Sequence, residues 1–161
     1  MNNNFITLEK EIDSLRDYLK IEFLRFGDKF DYEIVVNPEI ELFKYNVSPG
    51  LIQPFVENAI WHGVRGLEGR KRRITVKFGT RAGNNIVCII EDDGIGRKNA
   101  EAVKSVYGEK KSQGISIAID RLKIINKLMK SNYQITINDL FPYGETETRV
   151  EIELPLEKIS L

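Results

Sequence analysis

The sequence predicts an α+β fold, a two-layer α/β sandwich preceded by one helix. Apolar residues recur with helical period in well-separated stretches and alternate with period two in several others. Strands and helices do not alternate one for one, as a parallel βαβ sheet requires, and turn signals separate the later strands. A hairpin-paired sheet with one face under helices follows.

Each element has its own signal. Phe5, Leu8, Ile12, Leu15, Leu19, Phe23 and Phe26 form a coiled-coil-like stripe between charged residues, and Gly27-Asp28 ends that helix. A helix of this length takes most of its stability from packing. Its stripe therefore needs a cover, supplied by the domain's own surface, by another segment or by a second copy. Phe30, Tyr32, Ile34 and Val36 alternate as a strand that ends at Asn37-Pro38. Ser48 before Pro49 predicts a helix start, and Leu51/Ile52, Phe55/Val56 and Ala59/Ile60 give that helix a wide buried face down to Gly63. Arg70-Lys71-Arg72-Arg73 reads as a solvated turn leading into Ile74, Val76 and Phe78, since no interleaved aromatics or recognition helix accompany it.

Gly83-Asn84-Asn85 signals a hairpin turn into the strand 86–91. From Arg97 to Gln113 the chain is polar and lysine-rich, which predicts a lid around a short helix at Asn99 to Val106. After Gly114 a helix carries Ile117, Ile119, Leu122, Ile125 and Leu128. Strands Tyr133 to Asn138 and Thr148 to Leu154 close the chain, joined through a Pro142-Tyr143-Gly144 turn.

Composition narrows the function. The 161 residues are 42% hydrophobic, enough for one domain with a sizeable core. The 24 basic and 24 acidic residues cancel, so no overall charge drives the chain onto nucleic acid or an anionic membrane. Cys88 is the single cysteine, which excludes an internal disulfide and a cysteine-rich metal cluster. No signal peptide opens the chain and no stretch is long and apolar enough to span a bilayer, so a cytoplasmic location is expected.

Two short segments carry chemistry. Glu57-Asn58-Ala59-Ile60-Trp61-His62-Gly63 reads as a helix presenting an amide, and Asp92-Asp93-Gly94-Ile95-Gly96 as an acidic, glycine-bent loop after a strand. Pro54, Asn58, Trp61 and His62 share the helix side away from Phe55 and Ala59. Asn58 offers a neutral carbonyl oxygen to Mg²⁺, whose other ligands are typically water and phosphate; a surface amide is the plainer alternative. Asp93, an acceptor-only carboxylate at a strand end, suits the exocyclic amine of adenine, while an ordinary Asp-Gly turn uses the same residues. Glu57 either orders a metal-bound water or is a surface charge.

In this order, with the lid and Ser112-Gln113-Gly114-Ile115-Ser116-Ile117-Ala118-Ile119-Asp120-Arg121-Leu122, these segments resemble the ATP-binding domain of LytS/YehU-type sensor histidine kinases, within the wider gyrase/Hsp90/histidine kinase/MutL (GHKL) fold. The opening, Thr7-Leu8-Glu9 through Tyr18-Leu19-Lys20-Ile21-Glu22 to Arg25-Phe26-Gly27-Asp28, is similar to the end of that family's dimerisation helix and its link to the catalytic domain. The resemblance divides the chain into 1–27, helix end and linker, and 28–161, the ATP-binding domain. It implies Asn58 as Mg²⁺ ligand, with Glu57 beside it as a catalytic position, Asp93 as the adenine reader, Gly94 and Gly96 as the bend beside the base, and His62 flanking the nucleotide. Gly114 would close the lid near the phosphates, where helix-start N–H groups favour anions.

It further implies ATP and Mg²⁺ as cofactors and γ-phosphoryl transfer to a histidine on dimerisation helices upstream of this chain. His62, the sole histidine, is not that acceptor. The expected parent is homodimeric and anchored in the inner or cytoplasmic membrane, with a response regulator of the LytTR type as partner and no nucleic acid. Trp61 stands where many histidine kinases carry a basic residue, so Lys110 or Lys111 is expected to supply that charge. Pro54 and Ser116 also depart from the family pattern. A non-catalytic nucleotide-sensing module and a GHKL serine kinase or ATPase are the alternative functions.

Overall fold

The chain enters through a two-residue strand, β1 (Ile6–Thr7), and Thr7 caps α1 (Leu8–Phe26), its hydroxyl accepting from the Lys10 N–H at 3.3 Å. The helix ends at Gly27, which takes φ +62° and donates its N–H to the Phe23 carbonyl. The structure is a computed structural model and describes residues 5–64, 71–82, 84–93, 112–139 and 148–159. The sequence-predicted helix at 99–106 and the Pro142-Tyr143-Gly144 turn lie outside the described residues.

The remaining elements are β2 (Phe30–Val36), β3 (Tyr45–Val47), α2 (Gln53–Val64), β4 (Arg72–Arg81), β5 (Asn85–Asp92), α3 (Ser112–Met129), β6 (Ile135–Asp139), β7 (Thr148–Glu153) and β8 (Leu156–Lys158). Five strands form one sheet in the order β2-β4-β5-β7-β6, and β1, β3 and β8 form a second, small one. β2 runs parallel to β4 while the other pairs are antiparallel. The α+β sandwich is therefore the observed architecture. The sequence pattern does not reveal the small sheet, because two- and three-residue strands are too short to show a period.

Period two decides what each strand buries. On β4, Arg72, Ile74, Val76 and Phe78 are buried; on β5, so are Ile86, Cys88, Ile90 and Asp92. The apolar residues of these rows meet Phe55, Val56, Ala59 and Ile60 of α2 and Ala118 and Leu122 of α3 in one core. The opposite face is polar, laced by ion pairs that include Lys71 with Asp31 at 3.0 Å, Arg73 with Glu33 at 2.8 Å and Arg149 Nε with Glu151 at 3.0 Å. Such surface pairs add little stability individually; they keep this side of the sheet wet.

The stripe of α1 is covered by the chain itself. Leu8, Ile12, Leu15 and Leu19 are at most 2% exposed and belong to the same core as the sheet. Burying each leucine contributes roughly 1.5–3 kcal/mol, which holds α1 on the sandwich.

Two local expectations fail. The helix forecast at Ser48-Pro49 begins at Gln53 instead, because the capping groups there are engaged elsewhere. Arg121 of α3 donates to Ser48 Oγ at 2.6 Å and to the Pro49 carbonyl at 2.9 Å, and Gly50 sits at φ +77° with its N–H donated to Glu11 Oε1 at 3.1 Å. The basic run is not a solvated turn at Arg72, which starts β4 on the buried side at 3% exposure.

Candidate functional site

Successive residues on an α-helix are turned by about 100°, and this sorts α2 into flanks. Phe55, Val56, Ala59 and Ile60 point into the core. Pro54 and Asn58, half-buried and one turn apart, share the flank toward α3: a Cβ added at Gly114 would lie 3.6 Å from Pro54 Cβ. Asn58 and the start of α3 are thus brought to the same side.

Glu57 and Trp61 take the other flank, toward α1. The Glu57 charge contributes, after burial, to pushing the Tyr18 hydroxyl above its ordinary range. Trp61 meets Phe26 edge-on at 5.9 Å between ring centroids, and the Arg25 guanidinium lies 5.9 Å over the Trp61 ring. The indole that replaces the expected basic residue is thus an aromatic contact to α1. His62 lies on α2, but its side chain is outside the described residues, as are Gly94, Gly96, Lys110 and Lys111.

The two aspartates at the end of β5 differ in direction. Asp92 continues the buried series Ile86, Cys88, Ile90 and is 8% exposed, paired in register with Ile74 and Thr148. Its side chain belongs to the side of the sheet that α2 and α3 cover. Asp93 follows with the opposite parity. Its Oδ1 accepts the Arg73 N–H at 2.7 Å, its N–H donates to the Arg73 carbonyl at 3.3 Å, and its carbonyl accepts from Arg72 Nη1 at 2.7 Å. The alternation along β5 is the sequence signal that distinguishes the two aspartates.

Among the described residues no cluster of three or more His, Cys, Asp or Glu could hold a metal ion. Cys88 is fully buried, and burial pushes its thiol far above the ordinary range, so it is inert packing.

Solved histidine kinases share this fold: the mycobacterial sensor histidine kinase MprB superposes with a TM-score of 0.62 at 17% identity, covering 96% of this chain and 98% of that one. The catalytic domain of histidine kinase ThkA gives 0.57 at 14% identity, covering 92% and 94%. ShkA, solved in complex with AMPPNP, gives 0.61 at 11% identity, covering 97% of this chain and 31% of that one. At such identities these likenesses speak for the fold.

Curated sequence relatives of the chain are LytS-, YpdA- and YesM-type sensor histidine kinases. The chain is 35% identical to sensor histidine kinase YpdA of Escherichia coli K12 over 91 residues, 56% of this chain and 15% of that protein. It is 31% identical to sensor protein LytS of Oceanobacillus iheyensis over 109 residues, 68% of this chain and 18% of that protein. Sensor histidine kinase YesM of Bacillus subtilis matches at 30% over 98 residues, 60% and 16%. The chain thus spans less than a fifth of the relatives it matches. No family model matches it.

Proposed function

We propose that this chain is the ATP-binding catalytic part of a two-component sensor histidine kinase, which transfers the γ-phosphoryl group of ATP to a histidine carried on dimerisation helices outside it. Two observations support this reading: Asp92 ends β5 on the side of the sheet that the helices cover, and Pro54, one turn before Asn58 on α2, lies beside Gly114 at the start of α3. Asp92 accepts from the exocyclic amine of adenine, and Asp93, bonded to Arg73, holds the strand end. This assignment replaces Asp93 with Asp92 as the base reader.

Asn58 holds the metal through its amide oxygen, and Mg²⁺ neutralises phosphate charge when bound. The N–H groups at the start of α3, near Gly114, face the phosphate end, with Lys110 or Lys111 as the cationic partner and His62 beside them. Gly94 and Gly96 let backbone approach the base. The domain thereby positions and neutralises rather than supplying a nucleophile. Glu57, on the α1 flank, is assigned no chemical step. The reading extends to a homodimeric, membrane-anchored parent and a response regulator of the LytTR type; no helix among the described residues is long and apolar enough to cross a membrane.

A second reading, a nucleotide-sensing module without transfer, is favoured by one feature: Trp61, standing where many histidine kinases carry a basic residue, is an aromatic contact to Phe26. Titration with Mg·ATP, then addition of the dimerisation segment of the full-length parent with labelled ATP, separates the two. Label on that segment's histidine supports the kinase, binding without transfer supports the sensor, and absence of binding refutes both.

A further inference from the structure

Arg72 is the side chain that the core least requires. It occupies the first position of a buried row completed by Ile74, Val76 and Phe78, yet it brings a guanidinium at 3% exposure. Nη1 donates to the Asp93 carbonyl, whereas Nε and Nη2 are buried without a hydrogen-bond partner. Desolvating that charge is not offset by one carbonyl, and unpaired buried donors are uncommon enough that each calls for a reason. An apolar residue continuing the row would suit the fold better.

Register locates the reason. Ile74 lies opposite Asp92, so Arg72, two residues earlier on the same face, is its diagonal neighbour across the strands. Diagonal partners have Cα atoms about 7–8 Å apart, within reach of a long side chain. The arginine grips the next carbonyl along, that of Asp93. Asp93 is consequently held by two adjacent arginines, through its carbonyl by Arg72 and through its carboxylate and N–H by the Arg73 backbone.

We infer that Arg72 is a positioning residue for base recognition: by clamping the Asp93 carbonyl it fixes the end of β5, and with it the direction in which the Asp92 carboxylate meets the nucleobase. This deepens the proposed nucleotide site and rests on that reading. The role is one of discrimination, because a carboxylate aimed correctly accepts from the adenine amine but opposes the carbonyl that guanine carries at the same place.

Arg72→Met removes the clamp while matching the apolar row, and Arg72→Lys keeps the charge on a different donor geometry. Calorimetric titration of the 161-residue chain with Mg·ATP and Mg·GTP, alongside thermal melting, reads both roles. In Arg72→Met, ATP affinity should fall about tenfold and GTP affinity change little, with a melting temperature no lower than the parent's; Arg72→Lys should lose only about threefold. Unchanged ATP affinity in Arg72→Met overturns the inference. So does a fall of ATP and GTP binding in step with melting temperature in both variants, which marks a merely structural arginine. If Arg72→Met does not fold, a folded Arg72→Lys with parental ATP-over-GTP discrimination overturns it. A parent chain that binds neither nucleotide, or both alike, refutes the base-reading site itself, and the inference falls with it.

Discussion

Replacing each of the two adjacent aspartates by asparagine asks which one reads the base. Asp92 lies on the helix-covered side of the sheet, and Asp93 uses Oδ1 on the Arg73 N–H. Asp92→Asn turns an acceptor-only group into one that presents donors as well, so a hydrogen bond to a charged acceptor is lost, about 1.5–3 kcal/mol. ATP affinity should fall roughly 10- to 150-fold at RT of about 0.6 kcal/mol. Asp93→Asn keeps a side-chain oxygen for Arg73 and exchanges a charged acceptor for a neutral one, a difference of about 1 kcal/mol. That difference falls on stability, roughly 2–4 °C in melting temperature for a domain of this size, with nucleotide affinity changed less than about threefold. Calorimetry and thermal melting on both variants give the four numbers needed. A larger affinity loss in Asp93→Asn than in Asp92→Asn would refute the assignment by strand parity and restore Asp93 as the reader.

Three further outcomes are expected. Asn58→Ala should weaken Mg·ATP binding more than metal-free ATP binding, and equal losses in calorimetry with and without Mg²⁺ would make Asn58 structural. Leu19→Ala, at a position with no exposure, should cost about 2–5 kcal/mol of stability and leave the light-scattering mass unchanged, whereas a stable variant of altered mass would return the α1 stripe to a subunit interface. Burial raises the Glu11 carboxyl above its ordinary value of 4.5, partly offset by the Gly50 N–H and the Arg121 charge, so the folded chain binds that proton more tightly than the unfolded one. Its contribution is therefore fullest below pH 4.5 and is lost as pH rises through the raised folded value. Glu11→Gln keeps an acceptor for Gly50 and should match the parent in acid but melt higher at neutral pH; a variant that melts lower at neutral pH would contradict the sign.

Long, periodic elements were legible in the sequence: α1, the β4–β5 hairpin and α3 follow from spacing alone. What escaped is governed by partners distant in sequence. Ser48 and Pro49 have the local chemistry of a helix start, yet Arg121, seventy-three and seventy-two residues on, engages them. Arg72 reads as one member of a basic run, and only the parity of Ile74, Val76 and Phe78 separates it from its exposed neighbours Lys71 and Arg73. Asn58 was legible as a helix amide off the buried face. At the paired aspartates, only the alternation along β5 separates two residues of the same type.

The displaced start of α2 also explains how the site's supports are tied together. A helix beginning at Ser48 would have used its hydroxyl and the following backbone for capping. Instead the turn before α2 is an anchor shared by two other helices. Glu11 of α1 accepts from the Gly50 N–H, and Arg121 of α3 reaches Ser48 and Pro49 from the other side. Glu11 and Arg121 are near enough that the arginine lowers the carboxyl's pKa against the effect of burial. One turn therefore fixes three helices relative to one another, and two of them carry Asn58 and Gly114. The third, α1, is itself joined through β1 and β3 to β8, so the first and last strands of the described chain meet in one small sheet. Loss of Arg121 would release α3 from this anchor while leaving its buried Ala118 and Leu122 in place, which makes the turn, more than the helix faces, the element that sets the spacing between Asn58 and the start of α3.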